Sequence, residues 1–181
     1  KKQLLDGDMD FTASSGDVFK IALYTSSATL NSATTSFTTG NQVANSFKKQ
    51  LLDGDQDFTA APAGDIFKIA LYTSSATLNS ATTSFTTGNE VPNSGQYTSG
   101  GGKLVNLATS ITAGVARVDF ADRSFTNVTI TARGALIYNT SFSNSAVAVL
   151  DFGADKTATS GVFTIQFPAQ TSTAAILRIS G

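Results

Sequence analysis

Phe67, Ile69 and Leu71 fall on one side of a two-residue alternation, with Lys68 and Tyr72 on the other, and the same rhythm returns at intervals to the end of the chain. Successive side chains of a strand point to opposite faces, so this pattern predicts strands with one face against a core. The first core strand is predicted at 66–72. After Gly100-Gly101-Gly102, further strands are predicted at 103–107, 115–120, 128–132, 135–138, 146–152, 162–167 and 174–179, with turn residues between them. Gly134 interrupts two of these as a bulge would, so 128–138 also reads as one bent strand. The predicted core is Phe67, Ile69, Leu71, Val118, Phe120, Val149, Phe163, Ile165, Leu177 and Ile179.

One helix is predicted, opening at Ser46 as N-cap, with Phe47 and Leu51 one turn apart and Gly54 as the stop. Residues 73–102 are rich in Ser, Thr, Asn and Gly without a long period, which predicts short turns and an edge strand. The fold class that follows is all-β. The expected architecture is an antiparallel β-sandwich, jelly-roll or immunoglobulin-like, with a short N-terminal helix and an extended N-terminal arm.

The arm is a partial copy of the domain. Residues 1–46 realign on 48–94 with a single one-residue insertion, and 20–41 recur unchanged as 68–89. Two copies followed by an unrelated stretch do not make a solenoid, which needs at least about three stacked units. A tandem duplication of the first part of one domain and a sequence in which that part is entered twice both fit; a measured intact mass close to the 18.7 kDa of the full sequence would decide for the first. The expected division is a docking arm at 1–44 and a domain at 45–181. In the arm, the strand at 18–25 turns Phe19, Ile21 and Leu23 to one face, and an isolated strand leaves its backbone unpaired. These three residues are the expected interface with a neighbour.

Composition removes chemistry. With no His and no Cys there is no Ser-His-Asp triad, thiolate nucleophile, usual zinc site or disulfide. Glu90 is the only glutamate, so a carboxylate pair would have to be built from aspartates. A net charge of -1 with 14% charged residues gives no basic footprint for nucleic acid, and no apolar run is long enough to span a bilayer. The first residues also lack an apolar stretch of secretory length.

Asp53, Asp55 and Asp57 sit at alternate positions, as calcium ligands can, but the glycine and glutamate that an EF-hand loop requires are misplaced, so they are a weak calcium candidate and more simply an acidic turn. Gly100-Gly101-Gly102-Lys103 lacks the first glycine and the terminal Ser or Thr of a phosphate loop and reads as a flexible connector. Arg117, Arg123, Arg133 and Arg178 lie among Asp119, Asp122 and Asp151, which permits cross-strand ion pairs. Asn127 and Asn139 open glycosylation tripeptides of a kind common by chance in a Thr-rich chain. No catalytic residue and no cofactor are expected.

Three blocks carry a resemblance: Phe67 through Ala76, Thr131 through Asn139, and Ala146 through Gly153. Read together over 45–181, they resemble small virion structural proteins of tailed bacteriophages. The resemblance implies a non-enzymatic structural protein of the particle, a capsid decoration or cement protein, located in the virion. Its implied partners are copies of itself and other virion proteins such as the major capsid protein, with no nucleic acid and no membrane. The alternative is a neck, tail or fibre component with an adhesive or carbohydrate-binding role, in which exposed Tyr and Asn would hold sugars. Residues 1–44 depart from the family pattern.

Overall fold

A computed structural model describes residues 41–60, 62–171 and 175–179. The arm strand with Phe19, Ile21 and Leu23 lies outside the described residues, as does all of the first copy before Asn41.

The described chain is mostly antiparallel β-sheet, in the order β1 (Gln42–Val43), α1 (Asn45–Asp53), β2 (Phe67–Tyr72), β3 (Gly102–Lys103), β4 (Ser110–Thr112), β5 (Val115–Val118), β6 (Arg123–Asn139), β7 (Ser145–Ile165) and β8 (Leu177–Ile179). One sheet has the order β1-β7-β6-β2-β3, and the other β4-β5-β8. All ten residues predicted for the core are buried. Phe47, Phe58, Phe67, Phe120 and Phe167 form a continuous run of ring contacts, Phe58 stacking on Phe67 at 4.6 Å and Phe67 meeting Phe120 at 5.5 Å. Phe67 belongs to the first sheet, whereas Phe120 follows β5 of the second.

Helix α1 buries Phe47 and Leu51, as their spacing requires, and Gly54 ends it in the left-handed region at φ 80°. Its start differs from expectation. Ala44 is the N-cap, no side chain caps the helix, and Ser46 Oγ is buried without a hydrogen-bond partner among the described residues. The chain enters α1 directly from β1, so Ser46 already lies inside the first turn.

The alternation predicts a half-buried β2, yet Ala70 and Tyr72 are as buried as Phe67, Ile69 and Leu71. The stretch 73–102 folds back over its second face. Phe85 stacks on Tyr138 at 4.6 Å, and Tyr97 Oη accepts from Leu71 N–H at 2.8 Å. That stretch contains turns and isolated bridges and ends in β3, an edge strand beside β2.

Downstream, β6 unites the segments predicted at 128–132 and 135–138, with the register shift at Ala132/Gly134 that the glycine predicts. The separate strands expected at 146–152 and 162–167 are also one strand, β7. Gly153 and Ser160-Gly161 look like turn chemistry but act as bulges, with φ of 73° at Gly153 and 46° at Ser160. The ladder to β6 slips and then resumes, so the extra residues are absorbed without ending the strand. β4, whose single apolar residue Ile111 is exposed, carries no alternation and is absent from the predicted strands.

Candidate functional site

Three of the four tyrosines gather around the only glutamate. Glu90 Oε1 accepts from Tyr97 Oη and from Gly100 N–H, both at 2.7 Å, while Oε2 accepts from Ser99 Oγ at 2.7 Å. Tyr138 Oη donates to the Gly100 carbonyl and Tyr72 Oη to the Thr86 carbonyl. Burial, reinforced by the Glu90 charge, pushes Tyr138 up to about 12 and raises Tyr72 and Tyr97 well beyond the usual phenol range. Each phenol therefore keeps its proton and can donate it. The cluster is a latch holding 86–101 on the sheet, and Tyr72, Tyr97 and Tyr138 are too buried to meet a sugar.

A second polar knot ties the 54–66 segment to the hairpin turn. Asn139 Nδ2 donates to Gln56 Oε1 at 2.9 Å and to Asp65 Oδ2 at 2.7 Å, and Gln56 Nε2 donates to Gln50 Oε1 at 3.0 Å. Gln56 and Asn139 are fully buried, so the Asn139 tripeptide cannot accept a glycan in the folded chain. Asn127 is exposed, in the left-handed conformation at a slip in the β6 ladder.

The acidic turn does not converge. Asp53 pairs with Lys49 on the helix surface, Asp57 Oδ1 accepts from Thr59 N–H, and Asp55 N–H caps the Gln50 carbonyl. Among the described residues, no group of three carboxylates is placed to hold a metal ion. Nor is Gly100-Gly101-Gly102 a loose connector. Gly101 presses so closely on β2 that a Cβ there would lie 1.8 Å from the Ile69 carbonyl oxygen, and Gly102 already belongs to β3.

Among the described contacts, the arginines are partnered in several ways. Arg133 pairs with Asp155 at 2.8 Å, and Arg123 lies over the Phe125 ring at 4.9 Å. Arg117 faces Arg178 across the β5–β8 ladder and donates to Thr112 Oγ1. Asp119 is 1% exposed, and burial pushes its carboxyl up to about 6 against the opposing pull of the Phe120 and Ile176 backbone N–H groups.

What remains accessible is the far half of the β6–β7 hairpin. Phe125, Val128, Ile130 and Phe163 cover its inner face, whereas its outer face carries Ser124 bonded to Thr164 and Thr131 bonded to Thr157. Along β7 runs a groove of about 440 Å³ lined by Phe152, Lys156, Thr157, Val162, Phe163 and Ile165, among others. Val162 is 59% exposed there. The alternation at 162–167 gave Thr164 and Gln166 as an outward face but no sign of a groove. Among the described residues, no helix is long and apolar enough to cross a membrane. Compared with known proteins, the chain matches no family model, no curated protein and no solved structure.

Proposed function

We propose that this chain is a non-enzymatic structural protein of a bacteriophage particle, acting as capsid decoration or cement through repeated contacts with its own copies and with other virion proteins. The observation that carries the reading is where the reactive side chains go. Glu90, the three buried tyrosines, Asp57 and Asp65 are engaged in hydrogen bonds that fix loops, and the hairpin presents hydroxyls instead. Such a face forms weak contacts that symmetry multiplies, and about 1,200 to 2,000 Å² of total buried area makes a stable pair. We read the two sheets as a sandwich closed on Phe58, Phe67 and Phe120.

The arm fits this reading. Phe19, Ile21 and Leu23 repeat Phe67, Ile69 and Leu71, which are fully buried in β2, so an identical apolar face needs cover of its own. A neighbouring copy supplies it. The test is to image a phage particle containing the full chain and to compare the solution size of the full chain with that of a chain lacking 1–40. Symmetry-related copies in the particle, and loss of assembly on truncation, are the expected results. A chain that is monomeric with or without the arm and absent from particles defeats the proposal.

A further inference from the structure

One face of the three-stranded sheet carries positive charge without a matching negative one. Ser110, Arg117 and Arg178 are directly opposed across β4, β5 and β8, so their side chains stand in one row on one face. The other face holds Ala116, Val118, Leu177 and Ile179, all buried. Two arginines directly opposite each other repel, which destabilises a ladder. Arg117 is nonetheless only 8% exposed. A cation that deep in a protein is ordinarily paired, because the loss of its hydration is costly.

Its contacts do not meet that need. Arg117 Nη2 donates to Thr112 Oγ1 at 2.8 Å, while Nε and Nη1 are buried and donate to nothing among the described residues. Ser110 Oγ, next in the row, is also buried without a hydrogen-bond partner. No ion pair among the described residues involves Arg117. Asp119, two residues further along the chain, does not supply one. Its Oδ1 accepts from Phe120 N–H, and its proton affinity is set by burial, backbone donors and Asp122. The row therefore holds three unused donors, two on a cation anchored by Thr112 and one on a hydroxyl. β4 is an outer strand of its sheet and Thr112 is exposed, so the head of the guanidinium lies close to solvent.

We infer that this row binds a small tetrahedral oxyanion, of the phosphate or sulfate class, between Arg117 and Ser110, with Arg178 adding its charge. Such an anion accepts from guanidinium and hydroxyl at once and offsets the repulsion of the opposed arginines. Its four oxygens suit three donors spread over two strands, where a carboxylate offers two. The bond to Thr112 already orders the Arg117 side chain, so little further freedom is lost on binding. Binding here needs neither a virion nor a second copy of the chain.

The test is a titration of inorganic phosphate into the full chain at constant ionic strength, with chloride as the balancing ion. In the parent protein, the Arg117 Nε–H resonance and the amides of Ser110, Arg117 and Arg178 are expected to shift together and to saturate. Arg117→Met keeps the length of the side chain and removes its charge, and it is expected to bind phosphate at least about tenfold more weakly. Arg133→Met removes an arginine already paired with Asp155 and is expected to bind as the parent does. Thermal unfolding gives a second readout: phosphate is expected to raise the midpoint of the parent and not that of Arg117→Met. Sulfate is expected to replace phosphate, and acetate is not. The resonance readout is made on the parent, so it decides even where a variant folds poorly. Shifts that are absent, that never saturate or that spread over the surface lysines overturn the inference. So does an equal response to acetate, or an Arg117→Met protein that binds phosphate like the parent.

Discussion

The carboxylates of Glu90 and Asp119 are partnered differently. Glu90 accepts from Tyr97, Ser99 and Gly100. Asp119 Oδ1 accepts from Phe120 N–H, but its Oδ2 is buried without a hydrogen-bond partner among the described residues, and its carboxyl rises to about 6 from an ordinary 3.8. A folded state that holds the proton more tightly than the unfolded chain loses stability as pH climbs between those two values, and the loss is complete above the higher one. A tenfold difference in proton affinity between the folded and unfolded chain is worth about 1.4 kcal/mol. Asp119→Asn is therefore expected to gain on the order of 1 to 3 kcal/mol at pH 7 and little at pH 4. Urea midpoints of the two proteins across that range check this, and parallel pH profiles would refute it.

At the level of elements, close backbone approach separates two kinds of glycine. Gly101 has φ 67° and meets Ile69 main chain where a Cβ would stand, whereas Gly114 has φ 75° with nothing within 4 Å. Gly114→Ala is expected to cost only the left-handed strain, about 1 to 2 kcal/mol. Gly101→Ala adds a backbone collision between β2 and the turn before β3, so more than about 3 kcal/mol, or failure to fold, is expected. Thermal unfolding of both variants compares them, and equal losses would mean that the turn can retreat from β2. Little of this was visible in the sequence, because a run of three glycines signals freedom and not the contact that requires it. Period-two alternation did reveal β2, β5 and β8 and most of β6, and it gave one buried face of β2 and of β8, but no buried residue of β6. It could not reveal that β7 is continuous, since bulges and turns use the same residues, nor that 73–102 covers β2, since that face is closed by contacts far apart in the chain. The candidate groove was hidden for the same reason: Phe152 and Phe163 lie far apart along β7, yet their rings are 6.1 Å apart, a contact that alternation does not encode.

At the scale of the whole molecule, the duplication offers two nearly identical segments for one place in the sheet, and the few differences between them explain why 48–94 fills it. Gln56 is fully buried and accepts from Asn139, where the first copy has Met9, whose thioether is at best a weak acceptor. Glu90 gathers three donors where the first copy has Gln42, whose amide oxygen instead accepts from Ser80 N–H beside β1. The end of the first copy is thus not surplus: Asn41, Gln42, Val43 and Ala44 close part of the β7 edge, with Val43 3% exposed and Ala44 fully buried. A chain cut to begin at Asn45 loses that strand, while one beginning at Asn41 keeps it. Burial of one valine together with two or three hydrogen bonds implies that the shorter chain is less stable by about 2 to 4 kcal/mol. Chemical denaturation of the two truncated proteins measures the difference directly. Equal midpoints would mean that β1 adds nothing to the domain and that the sheet is complete without the tail of its own repeat.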